Sequence, residues 1–166
     1  GGEWSGAYQG LMKIEFNTIA TTGNASIFGD ISDGRVYSQT ASFESPTRGF
    51  IGAGGRAQDA HYPTIYRIDG VSVQAVCELD TDKLQKVSNK YNIPHTFSDH
   101  RTMLEQVDLD VVYCIMHENW LLQPVLDCLN AGKHVMTEKP PGRNSDETEK
   151  MLEAAISNDV YCMTAF

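Results

Sequence analysis

Apolar and polar residues follow two different patterns along this chain, and the change lies near residue 46. Residues 12–16 alternate between apolar and polar, and two further runs, 26–31 and 35–43, also have the composition of short strands. Gly23-Asn24 and Asp33-Gly34 lie between these runs as turn residues. We expect an antiparallel β meander here, which ends at the break Ser45-Pro46-Thr47.

From Arg48 onward, short apolar runs alternate with amphipathic segments. The apolar runs predict strands at 48–52, 71–78, 95–97, 110–115, 133–137 and 160–165. The amphipathic segments predict helices at 55–68, 80–91, 99–106, 119–131 and 145–157. Alternation of this kind is typical of an α/β fold, so we expect a doubly wound parallel (Rossmann) sheet with right-handed crossovers, preceded by a short antiparallel β segment. The predicted domains are 1–46, a β-rich extension or remnant of another domain, and 47–166.

The helix ends carry their own signals. Asp80 or Thr81 is expected to begin the second helix, and Ser98 or Asp99 the third. Ser145 is the expected cap of the last helix. A fourth helix that stops before Gly132 would use this glycine in a left-handed conformation.

Composition narrows the classes of protein and of partner. The 166 residues carry a formal charge of −9 without any Lys/Arg cluster, which argues against a nucleic-acid-binding surface. No apolar run approaches the length of a membrane span and no signal-peptide pattern opens the chain, so we expect a cytoplasmic protein. The four cysteines form no C-x-x-C pair, and we expect buried free thiols rather than disulfides or metal ligands.

Gly52, Gly54 and Ala57 follow the first predicted strand at the spacing G-x-G-x-x-A. A backbone with so few side chains can approach a pyrophosphate, and the N–H groups and positive dipole of the next helix then face the negative charge. Alone, this signal is weak, because glycine-rich turns are common.

Glu78 strengthens the signal, since it ends the second predicted strand about two dozen residues after the glycines. A carboxylate there can accept hydrogen bonds from both hydroxyls of an adenine ribose and repels a 2′-phosphate. This favours NAD over NADP, although Arg56 leaves some room for NADP. In the alternative interpretation, Glu78 or Asp80 only begins the next helix, a role that Asp80 can fill.

The fourth and fifth predicted strands end in further candidate chemistry. His117 can donate a proton or contact a substrate, or it can simply begin the next helix. Pro140 stops the fifth strand and holds Glu138 and Lys139 at the ligand edge of the sheet. The Lys139 ammonium can hydrogen-bond the substrate oxygen whose carbon gives or receives a hydride, and Glu138 can orient it or contact the nicotinamide ribose.

We expect no metal site, because no metal-ligand spacing links the histidines. The histidines interpreted as structural are His61, His95, His100 and His134.

In this order, the motifs resemble the N-terminal half of the Gfo/Idh/MocA oxidoreductases over about residues 48–166. They are GAGGRA at 52–57, HYP at 61–63, AVCE at 75–78, AGKHV at 131–135 and EKP at 138–140. AGKHV running into EKP is far more specific than the glycine turn. The resemblance implies an NAD- or NADP-dependent oxidoreductase that acts on a hydroxyl or carbonyl of a sugar, an inositol or a related polyol.

The resemblance also assigns roles to residues. It makes Lys139 catalytic, and it implies these cofactor contacts: Gly52, Gly54, Gly55, Arg56, Ala57, Glu78, Met116, Glu138 and Lys139. Two positions depart from the family's pattern. Met116-His117 stands where the family has Thr-Pro, and Leu121 stands where it has a histidine.

The family's second half, an antiparallel sheet with the substrate pocket, should follow Phe166, so we expect a truncated or incomplete enzyme. Family members often associate through that sheet, which is compatible with a homo-oligomer. Two alternatives remain. One is a non-catalytic NAD-binding or sensing module. The other is a methyltransferase that binds S-adenosylmethionine, against which the Glu138-Lys139-Pro140 strand end argues.

Overall fold

A computed structural model describes residues 13–16, 26–30 and 47–165 of the chain, which divides into two compact units, Gly1–Phe43 and Glu44–Phe166. In the first unit, β1 (Lys13–Phe16) pairs antiparallel with β2 (Ser26–Asp30). The predicted pairing of these two strands is therefore confirmed. The third predicted strand, at 35–43, and both predicted turns lie outside the described residues.

The second unit contains a parallel sheet of six strands in the order β5-β4-β3-β6-β7-β8. The strands are β3 (Thr47–Ile51), β4 (Ser72–Cys77), β5 (His95–Phe97), β6 (Val111–Cys114), β7 (His134–Glu138) and β8 (Cys162–Ala165). Every adjacent pair is parallel. This confirms the predicted doubly wound sheet. The strand order reverses between β3 and β6, where a sheet of this type forms a crevice beyond the carboxyl ends of its strands.

Helices connect these strands. They are α1 (Tyr62–Ile65), α2 (Thr81–Tyr91), α3 (His100–Gln106), α4 (Glu118–Asn130) and α5 (Ser145–Ser157). A π-helical turn, Ala57–His61, immediately precedes α1, and the helical segment that contains both begins at Gly55. This segment ends at Ile65 rather than at the predicted residue 68, because the N–H groups of Arg67 and Ile68 bond three residues back in tightening turns.

Side-chain caps define where the helices begin. Asp80 accepts hydrogen bonds from two backbone N–H groups of α2, and Asp99 does the same for α3, so both acidic caps are confirmed. The prediction for α5 was wrong by one residue. Asn144, not Ser145, is its cap, because the extended backbone at Asn144 lets its amide oxygen accept the N–H of Glu147 at 3.0 Å. Gly132 has φ +72°, as expected after α4.

The sheet has a hydrophobic cluster on each face. One packs α3, α4 and α5 against strand residues such as Val112, Cys114 and Val135. The other packs α1 and α2 against residues such as Phe50 and Val76. The expectation of free thiols is confirmed, with Cys162 half-buried and the rest buried. Within the described part of the chain, no helix is both long and apolar enough to cross a membrane.

Candidate functional site

The turn after β3 is built around Gly52. Its φ is +109°, and its N–H donates to the carbonyl of Cys77 at the end of β4, at 2.9 Å. A β-carbon on Gly52 would overlap the carbonyl oxygen of Ile115, which follows β6. Only glycine meets both demands, so this residue lets the turn pass between the ends of two neighbouring strands.

Gly54 has a different reason to lack a side chain. A β-carbon there would meet no protein atom within 4 Å, although the residue lines an open cleft. The helical segment begins immediately after it, with the N–H of Gln58 bonded to the carbonyl of Gly54 at 3.1 Å. The first N–H groups of a helix have no partners within the helix. The turn therefore presents bare backbone and unpaired donors to the cleft, which is what a pyrophosphate requires.

Glu78 lies beside this turn. Its carboxylate accepts the N–H of Ala53 at 2.8 Å through one oxygen and the N–H of Asp80 at 3.2 Å through the other. The carboxylate is only half-buried, so its remaining lone pairs stay accessible to a ligand. Asp80 begins α2 by itself. Asp80 therefore fills the helix-start role, while the Glu78 carboxylate adjoins the glycine turn.

The cleft measures about 550 Å³ and lies at the carboxyl edge of the sheet, on the switch point between β3 and β6. Its lining comes from three strand ends: Gly54, Gly55, Arg56, Ile115, Met116, His117, Glu118, Glu138 and Lys139. Six of the nine predicted cofactor contacts thus line a single cleft. Ala57 does not line it, since its side chain is buried in the core. Gly52 begins the turn, and Glu78, which follows β4, bonds the turn at Ala53.

Glu138, the last residue of β7, is 8% exposed and pairs with two basic side chains. Its Oε1 accepts hydrogen bonds from Arg56 Nε and His61 Nε2, each at 2.7 Å. Its Oε2 accepts the backbone N–H of Lys139 at 3.3 Å. Burial acts to raise the pKa of Glu138, but the hydrogen bonds from Arg56 and His61 outweigh it and hold the pKa below its ordinary value.

Lys139 is exposed and follows β7 directly. Within residues 47–165, its ammonium makes neither an ion pair nor a hydrogen bond with another side chain, and it lines the cleft. Glu138 therefore fixes Lys139 through its backbone and leaves its ammonium available. Glu138 is predicted to orient Lys139 or to contact the nicotinamide ribose. Its carboxylate contacts Arg56 and His61 rather than the Lys139 ammonium, so it can orient Lys139 only through the main chain.

His117 caps α4, with its Nδ1 accepting the N–H of Asn119 at 3.3 Å. The same nitrogen lies 3.3 Å from a carboxylate oxygen of Glu118, and the ring packs beside Trp120. These contacts support the helix-start interpretation of His117. Because His117 also lines the cleft, a molecule bound in the cleft would lie beside it.

The histidines interpreted as structural have separate environments. His61 is buried and bonds the Glu138 carboxylate, a contact that the sequence does not predict. Its place in the motif HYP is the signal that the sequence offers for it. His100 pairs with Asp127 at 2.8 Å, away from the cleft. In the described part of the chain, no three metal-ligating side chains cluster.

Comparison with known protein families shows which family this chain belongs to. The sequence model of the family GFO_IDH_MocA, described as "Oxidoreductase family, NAD-binding Rossmann fold", matches residues 47–166. The chain belongs to the Gfo/Idh/MocA oxidoreductase family. The fold and the family expected from the sequence are thereby confirmed.

Two curated relatives are inositol dehydrogenases. The chain is 28% identical over 118 residues to myo-inositol 2-dehydrogenase from Thermotoga maritima, covering 71% of this chain and 35% of that protein. It is 33% identical over 98 residues to scyllo-inositol 2-dehydrogenase (NADP(+)) from Bacillus subtilis, covering 59% and 30%. The chain thus spans about a third of the length of these Gfo/Idh/MocA relatives.

Solved structures lead to the same family. A probable dehydrogenase from Thermotoga maritima superposes with a TM-score of 0.67 at 27% identity, covering 72% of this chain and 35% of that one. The WlbA dehydrogenase from Chromobacterium violaceum, solved with NADH and UDP-GlcNAcA, gives a TM-score of 0.70 at 22% identity, covering 75% and 36%. At the second identity, the likeness concerns the fold alone.

The two departures from the Gfo/Idh/MocA pattern have different surroundings. Met116 is half-buried and lines the cleft, in keeping with its predicted role as a cofactor contact. Leu121, by contrast, is 1% exposed and belongs to the hydrophobic cluster beneath α4. A histidine at position 121 would replace core packing in this chain, and Leu121 does not line the cleft.

Proposed function

We propose that this chain is the nucleotide-binding domain of an NAD(P)-dependent oxidoreductase that transfers a hydride between nicotinamide and a hydroxyl or carbonyl carbon of a sugar- or polyol-like substrate. The observation that carries the proposal is the cleft itself. It brings the glycine turn and Lys139 to one edge of the sheet, although 85 residues (139 − 54) separate Gly54 from Lys139. We propose residues 47–166 as this domain and 1–46 as a β-rich extension or remnant of another domain.

The proposed roles of the residues follow from their positions. Gly52 shapes the turn, and Gly54, Gly55 and the following N–H groups would hold the pyrophosphate. Glu78 would accept the hydroxyls of the adenine ribose. When bound, the nicotinamide supplies the hydride donor or acceptor. Lys139 would donate a hydrogen bond to the substrate oxygen and exchange a proton with it as its carbon is oxidised or reduced.

The substrate class is taken from relatives and from the cleft's polarity. Relatives named as inositol and glucoside enzymes are dehydrogenases of polyhydroxylated rings. An exposed lysine beside His117 and Glu118 offers polar partners for such hydroxyls. We propose NAD as the preferred cofactor, since the Glu78 carboxylate would repel a 2′-phosphate, with NADP second.

A non-catalytic NAD-binding or sensing module is the alternative. Such a module would bind the cofactor at the same cleft without using the Lys139 ammonium in a reaction. In the enzyme, replacing Lys139 with Ala would abolish turnover and spare cofactor binding. In a sensor, the same variant would keep its function.

Calorimetric titration of NAD+ and NADP+ into this chain tests the proposal, with S-adenosylmethionine as the third ligand. We expect saturable binding of NAD+, weaker binding of NADP+ and none of S-adenosylmethionine, with a matching rise in melting temperature. Absence of binding by both nicotinamide dinucleotides would overturn the cofactor assignment. Tighter binding of NADP+ would overturn the role given to Glu78, and binding of S-adenosylmethionine alone would favour a methyltransferase.

A further inference from the structure

We propose that His61 is a positioning residue of the cofactor site, which holds the Arg56 guanidinium at the cleft by sharing one oxygen of Glu138 with it. The proposal rests on the proposed function, since it assumes that the cleft binds a nicotinamide dinucleotide. It assigns a purpose to three features that cofactor binding by itself leaves unexplained: the π-helical turn, the burial of Glu138, and the buried histidine.

The π turn brings Arg56 and His61 to the same side of the helix. They are five positions apart (61 − 56). In an α-helix of about 3.6 residues per turn, residues with this separation point roughly 140° apart around the axis. In a π turn, i→i+5 hydrogen bonding places them one above the other. The N–H of Tyr62 donates to the carbonyl of Ala57, which is such a bond, and the turn spans the interval between the two basic residues.

Glu138 is the common acceptor. A carboxylate that is 8% exposed needs partners to remain charged, and its lowered pKa shows that it has them. Because an ionised carboxylate only accepts, His61 Nε2 must carry the proton in its bond to Glu138. The His61 ring is also fixed from a second side, by an edge-on contact with Tyr113 whose ring centroids lie 6.1 Å apart. His61 thus holds the carboxylate in one orientation.

The orientation of Glu138 sets that of Arg56. The Arg56 side chain is 63% exposed, and an exposed ion pair alone holds a long side chain weakly. Here only Nε is bonded to Glu138, and within residues 47–165 neither Nη atom has a hydrogen-bond partner. A guanidinium is planar, so fixing Nε directs both Nη groups. Arg56 lines the cleft together with Gly54 and Gly55, so these groups would be available to donate to oxygens of the cofactor.

A second cluster of the same chemistry provides a matched control. His100 Nε2 and Arg101 Nε both donate to one oxygen of Asp127, each at 2.8 Å. This cluster joins α3 to α4, and none of its members lines the cleft. A variant that lacks the His100 side chain loses a comparable hydrogen bond, but the lining of the cleft is unchanged. A purely structural role for His61 would make the two histidine variants equivalent for cofactor binding.

The experiment measures NAD+ affinity by calorimetry for the chain and its variants. His61→Asn keeps a polar side chain that is too short to reach Glu138, whereas His61→Gln places an amide N–H near the position of Nε2. We expect His61→Asn to weaken binding roughly tenfold, as loss of a charged hydrogen bond would. We expect His61→Gln to recover most of this loss, and His100→Asn to leave affinity unchanged.

A double-mutant cycle with Arg56→Ala then separates positioning from general destabilisation. Because His61 acts through Arg56, His61→Asn should change affinity less than twofold in the Arg56→Ala background. Equal affinities for His61→Asn, His61→Gln and wild type, or effects of His61→Asn and Arg56→Ala that simply multiply, would overturn the inference while the proposed function stands. If the wild-type chain binds neither NAD+ nor NADP+, both fall together.

Discussion

Gly52 faces the backbone carbonyl of Ile115 so closely that no side chain fits between them. The contact joins the end of β3 to the end of β6, the two strands between which the sheet reverses its order. It therefore holds the ends of these two strands together beside the cleft. Gly54, two residues later in the chain, has no such contact, so the two glycines of this motif have different roles.

Alanine substitutions should separate these roles. Gly52→Ala combines a positive φ with a clash against main chain, and we expect it to lower the free energy of unfolding by more than about 3 kcal/mol or to prevent folding. Gly54→Ala should leave stability within about 1 kcal/mol, because its methyl group meets no protein atom, yet it should weaken NAD+ binding at least tenfold by intruding on the cleft. Urea unfolding and calorimetry of both variants test this pair. Similar behaviour of the two would contradict it.

Glu78 is predicted to set the choice of cofactor. Glu78→Ala removes the acceptor for the ribose hydroxyls and the repulsion of a 2′-phosphate, so the ratio of NAD+ to NADP+ affinity should fall by at least tenfold. The variant also leaves the N–H of Ala53 without its 2.8 Å partner, at a cost of about 1 kcal/mol in unfolding free energy. Asp80→Ala, which removes a cap but no ribose ligand, is the control, and its affinity ratio should not change.

Much of this fold can be predicted from sequence, because its signals are local. Apolar runs such as that of β6 mark buried strands, and Asp80 and Asp99 mark helix starts through bonds that span two or three residues. The error at Ser145 arises because two adjacent residues, Asn144 and Ser145, are both good caps, and only backbone conformation chooses between them.

The contacts of the site are harder to predict for a physical reason. Glu138 bonds Arg56 across 82 residues and His61 across 77, and nothing in the local pattern specifies either pair. The π turn is equally hidden, since one additional residue in a helix leaves little trace in an apolar pattern of period 3.6. The sequence predicts that Glu138 and Lys139 lie at the end of the fifth strand, but it does not predict the partners of the Glu138 carboxylate.

Tyr62 is expected to be a site where the chain can gain stability. Its ring is fully buried between Phe50 and Tyr91, and its hydroxyl has no hydrogen-bond partner among the described residues. Tyr62→Phe removes an unpaired polar atom and keeps the stacked ring, so the free energy of unfolding should rise by about 1 kcal/mol. Chemical denaturation would measure it.

Tyr113→Phe is the comparison for that experiment. The Tyr113 ring also stacks on Phe50, at 4.8 Å, but its hydroxyl interacts with Arg48. Tyr113→Phe removes a hydroxyl that has a partner, whereas Tyr62→Phe removes one that has none. The free energy of unfolding of Tyr113→Phe should therefore stay the same or fall. A loss of stability in Tyr62→Phe equal to that in Tyr113→Phe would show that the Tyr62 hydroxyl is satisfied in solution.

Acid should weaken the fold partly through Glu138. Its pKa is lower in the folded chain than its ordinary value of 4.5, so its contribution to stability is present above that pH and is lost as the pH falls through the folded value. In Glu138→Gln this contribution is missing at all pH values. The difference in unfolding free energy between wild type and variant should therefore shrink as the pH is lowered past 4.5. A difference that stays constant across this range would contradict the assignment.

The π turn has a consequence for how related sequences are aligned and recombined. The π turn contains one residue more than the corresponding turn of an α-helix, so the helical residues before and after Ala57–His61 follow different registers. Deleting a single residue there would convert the turn into ordinary α-helix and give the whole helix one register. Arg56 and His61 would then be four positions apart, about 40° around an α-helix, so both could still face Glu138. A related sequence with one residue fewer in this segment can therefore keep both contacts in an ordinary α-helix. Alignments should place a one-residue gap here, and chimaeras of family members should be joined outside it.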